Sequence, residues 1–371
     1  MVKLFTFDIT LRELAGAFGD FGTLMPFTIG YIAVTGFKPT GLLLGIGLTN
    51  IFLAFIYKIP LPVQPKKVIG AVALANNWSV GQVLGAGFTT GLIELILAVS
   101  KIGSIFEKVP KSVIRGIQLG LAFNLALTGA EMIKENVLFA VPILAIALLL
   151  LRNRYLPSAI FLMLFGFGFS LFSGSLLFSE LIIGFSLPTL HVFSLEDMFF
   201  GFAYGGFAQL FLTMTNAVIA TVALVHDLFP DRKDISAQNL LTNMGVMNVI
   251  LPFIGGMPLC HGSGGLAAQY LFGARTGGAI MMEGILEILL AVVFSDSLFA
   301  IFSAFPMFVV GAMLLLTAVE LGKISMDLTT RKGIFVMIFT AIVSTAFNIA
   351  AGFIVGVFLY LALKKNIIQA P

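Results

Sequence analysis

Charge is what this chain has least of. Lys and Arg number 21 and Asp and Glu 18 in 371 residues, so 11% of positions are charged, against roughly a quarter in a soluble domain. That excludes a solvated surface over most of the molecule. A single cysteine excludes an intrachain disulfide and leaves the compartment open. The first ten residues hold Lys3 and Asp8 but no n-region, h-region and cleavage site in order, so no signal peptide is expected. With a formal net charge of +3, no nucleic-acid partner is expected, and no motif calls for a cofactor or a metal.

What the chain has instead is apolar length. Hydrophobic residues make up 59% of it and the mean hydropathy is +1.06. Apolar stretches of spanning length, broken by short polar turns, predict an all-α polytopic protein whose solvent is the lipid bilayer. The runs predict helices near 12–35, 40–57, 66–77, 82–100, 112–132, 136–151 and 157–178, a loop to about 198, then 199–225, 238–254, 263–275, 278–294, 305–321, 333–347 and 350–364. That is about fourteen spans, the third and tenth of them roughly half length. With both termini in the cytosol, Lys58, Lys101, Lys108, Lys111, Arg115, Arg152, Arg154, Arg232, Lys233, Arg275, Lys323, Arg331, Lys332, Lys364 and Lys365 fall inside. Lys38 and Lys134 alone fall on outer turns, a positive-inside bias that fixes the orientation.

The chain repeats itself. Pro62 and Pro258 are 196 residues apart, as are Pro110 and Pro306, and "GLIELIL" at 91–97 returns as "GILEILL" at 284–290. Residues 1–180 and 197–371 therefore read as two related halves of seven spans. Seven is odd, so the second half is inverted, and broken short segments at matching positions of inverted repeats point to a secondary transporter.

Those segments superimpose "PLPVQPKK" at 60–67 on "GMPLCHGS" at 256–263. Proline holds the preceding residue extended, so each segment is expected to enter the membrane as a short strand and then start a half-helix. Pro65 suits a first helical turn and Ser263 a cap. Facing N-termini, each with about half a positive charge and free N–H groups, form an anion site. Gly262, Gly264 and Gly265 let an oxyanion approach the backbone closely.

Lys66 and Lys67 stand at the start of the first half-helix, where a cation opposes the local dipole and an intramembrane lysine points to function. Lys66 is expected to add charge to the site, so that Lys66→Met weakens anion binding about tenfold. The competing reading is that one or both lysines snorkel to the interface. Gln64, Gln209 and His261 are candidate donors, with helix packing the alternative for each. In "GAFGDFGTLMPF" at 16–27, Gly22 and Thr23 are further candidate ligands beside the intramembrane Asp20. Asp20, Glu94, Glu283 and Glu287 are candidates to carry a coupling proton or sodium, or to pair structurally across the repeat interface.

Four stretches also carry a family likeness: "GDFGTLMP", "PLPVQPKK", "FAQLFLTMTNAVIATVAL" and "GMPLCHGSGGLAAQYLFGARTGG". Together they resemble the signatures of the molybdate transporter family, a branch of the sulfate permease (SulP) superfamily. "VPKSVIRGIQLGLAF" at 109–123 is similar to the SulP fifth span. The resemblance implies a core domain, about 1–105 plus 199–296, and a gate domain, about 106–180 plus 297–371. It further implies elevator-type alternating access, a homodimer, a cell membrane location and molybdate as substrate. Two departures stand out. The family usually has methionine where Lys66 stands, and the seven residues after the last span leave no room for a STAS domain.

Sulfate, tungstate and selenate are equally tetrahedral dianions and remain the alternative substrates. A nucleobase symporter of the same fold reads its substrate with acids on spans 8 and 10, but no Asp or Glu lies between Asp197 and Asp227 or between Asp234 and Glu283. Broken half-helices suit occlusion better than a channel. "HGSGG" at 261–265 lacks the first glycine of a G-x-S-x-G nucleophile elbow, so an intramembrane enzyme is not expected.

Overall fold

A computed structural model describes residues 7–100, 109–150, 158–180, 182–325 and 328–365. Lys101, Lys108, Arg152 and Arg154, assigned above to the inner side, lie outside the described residues. The first part of the chain runs through α1 (Leu11–Ala17), α2 (Phe21–Gly30), α3 (Pro39–Tyr57), strand β1 (Val63–Pro65), α4 (Lys67–Ala75) and α5 (Val80–Val99). It continues with α6 (Lys111–Ile133), α7 (Val137–Leu150) and α8 (Ser158–Phe172). An extended segment leads to α9 (Leu195–Gly201), α10 (Phe207–Leu212), α11 (Thr221–Leu228), α12 (Ala237–Ile250), strand β2 (Leu259–His261) and α13 (Ser263–Leu271). The chain ends through α14 (Gly278–Val293), α15 (Ser295–Ser303), α16 (Met307–Ser325), α17 (Arg331–Ala346) and α18 (Ile349–Lys364).

Several boundaries follow from local chemistry. Ser79 accepts from the Gln82 N–H while the Gln82 side chain accepts from the Ser79 N–H, a capping box that starts α5. Ser236 and Asn239 do the same for α12. Lys38 precedes Pro39 at the start of α3, where a missing N–H costs nothing. Gly255, with φ 75°, turns the chain from the end of α12 toward β2, a conformation that glycine adopts without strain.

Four described helical runs are long and apolar enough to cross a membrane, and a fifth is the bent pair α14 and α15. Two of the four exceed one span. Lys111–Leu150 is a run of 40 residues joining α6 and α7 through a 3₁₀ turn, and Leu195–Leu228 one of 34 joining α9 to α11. π-helical turns interrupt the latter at Phe202–Gly206 and Thr213–Ala220, a register shift that the apolar pattern did not signal. Large apolar side chains are widely exposed, among them Leu138, Leu149 and Phe172. Water would solvate such a surface poorly; lipid solvates it well.

Helices sort by packing. α3 lies along α14, and α5 lies between α9 and α12. α6 packs against α16 and α17, with α18 on α17 and α7 against α8 and α16. Close approach is made by small residues, as membrane helices require. A side chain at Gly47 would strike the Gly284 carbonyl at 2.7 Å, and one at Gly284 the Gly47 carbonyl at 2.6 Å. Gly91, 193 positions before Gly284, likewise abuts Asn248 on α12.

β1 and β2 pair antiparallel, with Val63 opposite His261, Gln64 opposite Cys260 and Pro65 opposite Leu259. Gln64 and Cys260 are 196 residues apart, the same offset as Pro62 and Pro258. The pair thus has a local twofold at its centre, since each strand meets its own repeat equivalent head to tail. The Lys66 N–H donates to the Pro258 carbonyl at 2.8 Å and continues the ladder.

Candidate functional site

Each strand runs directly into a short helix, β1 into α4 and β2 into α13, each of nine residues. Both are shorter than the sequence suggested, ending at Ala75 and Leu271. The caps differ from expectation too. Pro65 closes β1 and Lys66 is the N-cap of α4, so Pro65 stands ahead of the first turn. In the other half Gly262 is the N-cap and Ser263 the first helical residue. The Ser263 hydroxyl does not cap; it donates to Asn216 Oδ1 at 3.1 Å. Glycine at the N-cap has a steric reason: a Cβ on Gly262 would lie 2.0 Å from Gln64 Oε1.

Lys66 turns away from solvent. Its ammonium lies 2.6 Å from Glu94 Oε1 and 2.8 Å from Thr90 Oγ1, with Lys66 and Glu94 both fully buried. The other Glu94 oxygen accepts from Asn248 at 3.3 Å. Lys66 therefore meets a counter-ion within the protein, and its charge is balanced before any anion arrives. Lys67 differs. It is the first residue of α4, half-buried, and it makes no ion pair among the described residues. Gln209 is buried and its Oε1 accepts from the Val68 N–H at 2.8 Å, satisfying one orphan donor of the first turn of α4. Its amide donates in turn to Thr213 at 3.2 Å.

Asparagines, which sequence reasoning missed, tie strands to acids symmetrically. Asn50 on α3 accepts from the Val63 N–H at 3.1 Å and donates to Glu287 at 3.1 Å. Asn248 on α12 accepts from the Leu259 N–H at 2.8 Å and donates to Glu94. Val63 and Leu259 are repeat equivalents by the 196 offset, and Glu94 and Glu287 by the 193 offset of the two heptamers. Each asparagine thus joins its half's strand to the other half's acid. The available signal was a strong polar amide inside an apolar helix. Glu283, one turn before Glu287, accepts from Gln269 at 2.6 Å.

His261 is fully buried, edge-on to Tyr57 with ring centroids 5.7 Å apart. Neither ring nitrogen makes a well-formed hydrogen bond among the described residues, although the Pro62 carbonyl is available as an acceptor. Gly265 is buried in the first turn of α13, while Gly264 is exposed, and a Cβ built on it meets nothing within 4 Å. The N-terminus of α13 therefore borders open space. Asp20 closes a 3₁₀ turn, and Gly22 and Thr23 lie at the start of α2; their side chains lie outside what the structure describes.

The sequence profile described as "Molybdate transporter of MFS superfamily" matches residues 12–125 and 201–321. Molybdate transporter 1 of Arabidopsis thaliana is 31% identical over 96% of this chain and 89% of its own length. Molybdate transporter 2 of the same plant is 32% identical over 95% and 87%. These relatives are transporters, not enzymes. Among solved structures, the transmembrane domain of a cyanobacterium bicarbonate transporter, BicA, superimposes with a TM-score of 0.71 at 15% identity, covering 96% of this chain and 98% of that one. The murine Solute Carrier 26 family member A9 anion transporter, in its inward-facing state, gives 0.72 at 14% identity, covering 98% and 69%. The fold is the mostly helical one of these membrane transporters, and by sequence the chain belongs to the molybdate transporter family.

Proposed function

We propose that the chain is a secondary active transporter of a tetrahedral oxyanion, molybdate foremost, bound between the N-terminal ends of α4 and α13. The observation that carries this reading is the β1–β2 pair, which brings the starts of two short helices together in a chain whose full-length relatives are named molybdate transporters. Two helix ends offer about one unit of positive charge. Lys67, unpaired among the described residues, supplies a second, and together they balance a dianion. Lys66 acts through the neutral Lys66–Glu94 pair. Gly22, Thr23, Gln64, His261, Gly262, Ser263, Gly264 and Gly265 complete the lining. Gln209 holds α4 in place through Val68.

In this reading the chain has fourteen spans in two inverted halves, with the third and tenth as half-helices near the midplane. The core holds about residues 1–105 and 199–296 and moves as an elevator against a gate of about 106–180 and 297–371, a division that the packing of α6, α7, α8, α16, α17 and α18 among themselves favours. The protein sits as a homodimer in the cell membrane with both termini cytosolic. A proton taken up with each dianion cancels one of its two charges, each of which a negative-inside potential opposes by about 2.3 kcal/mol per 100 mV; Asp20, Glu283 and Glu287 are its candidate carriers, with Glu94 committed to Lys66.

The test is uptake of labelled molybdate into proteoliposomes, with sulfate as competitor, under separate proton and sodium gradients. Molybdate accumulation driven by the proton gradient is expected. Uptake of neither anion under either gradient would overturn the proposal.

A further inference from the structure

Asn216 is the fourth residue of the π-helical stretch Thr213–Ala220, one turn and more beyond Gln209 on the same helical run. A π turn shifts the backbone register by one residue, and such turns occur often at functional sites. Here the Thr221 hydroxyl donates to the Asn216 carbonyl, five residues back, at 3.0 Å. With its backbone so engaged, Asn216 extends its carboxamide across to α13, where Oδ1 takes the Ser263 hydroxyl proton at 3.1 Å. Asn216 and Ser263 are both half-buried, and the neighbouring Gly264 is exposed beside open space.

We infer that Asn216 is an oxyanion-binding residue of the site described above, contributing its side-chain amide directly to the substrate. The inference rests on the proposed oxyanion site. It follows from counting protons. An asparagine has two side-chain donors and a serine one, and the hydrogen bond between them uses one of the three. Two remain at the mouth of the α13 N-terminus whichever way the carboxamide is turned. A fully deprotonated tetrahedral oxyanion accepts at every oxygen and donates nothing, so donors are what such a site must supply. In the present arrangement the Ser263 proton is the one committed, and the Asn216 amide protons, which meet no acceptor among the described residues, can turn to the substrate.

The experiment is direct titration of molybdate into purified full-length protein in detergent, with Asn216→Ala, Ser263→Ala, the double variant and the isosteric Asn216→Asp. Asn216→Ala is expected to weaken binding about tenfold or more, and Ser263→Ala less. In the Ser263→Ala background, Asn216→Ala should still weaken binding severalfold. Asn216→Asp exchanges donors for a like charge while keeping shape, and it should abolish binding at neutral pH. Binding by Asn216→Ala within about twofold of wild type, or an Asn216 effect that vanishes once Ser263 is removed, would overturn the inference, the latter making Asn216 a brace for Ser263. If Asn216→Ala does not fold, wild-type affinity in Asn216→Asp has the same force. Wild-type protein that binds no tetrahedral oxyanion would instead sink the proposed function, and this inference with it.

Discussion

Lys66 and Glu94 form the most consequential contact in the molecule to perturb. They stand 2.6 Å apart, fully buried, with Thr90 on the ammonium and Asn248 on the carboxylate. Lys66→Met removes the cation and leaves a carboxylate with no counter-ion in a low-dielectric interior, which costs about 3–5 kcal/mol of stability. Glu94→Gln strands the ammonium in the same way. Lys66→Met with Glu94→Gln removes both charges together, and loss of a buried pair as a unit is often close to neutral. The assay is unfolding of the four proteins in one detergent, read as a double-mutant cycle. Both single variants should fall well below wild type and the double variant should recover, so that the coupling energy approaches the sum of the two single losses, about 6–10 kcal/mol. Single variants within about 0.5 kcal/mol of wild type, or a double variant that sums the two losses, would refute the reasoning. The same variants separate folding from binding. Because the pair is neutral as a unit, the double variant should bind molybdate within about threefold of wild type, against the tenfold loss that the sequence alone attaches to Lys66→Met.

Three further outcomes are expected. Gln209→Ala leaves the Val68 N–H without its acceptor and should cost about 0.5–2 kcal/mol, read by thermal unfolding. Asn50→Ala and Asn248→Ala each strand a buried backbone N–H and a carboxylate lone pair, so each should lose about 1–3 kcal/mol or more, and two similar losses would mark the two sites as equivalent. Arg232 forks onto Asp234 at 2.8 Å and holds its carboxyl below the usual range. That stability is present at neutral pH and lost as pH falls through the lowered value. At 63% side-chain exposure it amounts to less than about 1 kcal/mol, so Asp234→Asn should shift unfolding slightly at pH 7 and progressively less in acid.

Much of the site was legible because its signals are local or periodic. The proline spacing that superimposed 60–67 on 256–263 is the spacing at which β1 and β2 pair, and the heptamers that matched Glu94 with Glu287 sit at equivalent asparagine contacts. The rest needed three dimensions. Lys66 and Glu94 are 28 residues apart on different helices, so no spacing rule links them, and a lysine heading a half-helix reads as an anion ligand until its carboxylate is seen. Asn50, Asn248 and Asn216 are uncharged amides in membrane helices, Asn248 one of four amides on α12, and such a residue is a weak signal without its partners. The π turns at 202–206 and 213–220 depend on tertiary packing, and the cap at Gly262 depends on Gln64 from the opposite strand.

An oxyanion bound where α13 begins would lie beside Gly264, the residue at which its presence is most simply probed. A Cβ there meets no atom within 4 Å and so points into open space, and Gly264 is helical without a positive φ, so Gly264→Leu should leave the fold intact and even favour the helix by about 1 kcal/mol. It fills the space the anion is proposed to occupy. The measurement is calorimetric titration of molybdate into wild-type and Gly264→Leu protein of matched thermal stability. Saturable binding to wild type and none to Gly264→Leu are expected; equal affinity in the two proteins would mean that the anion does not bind there.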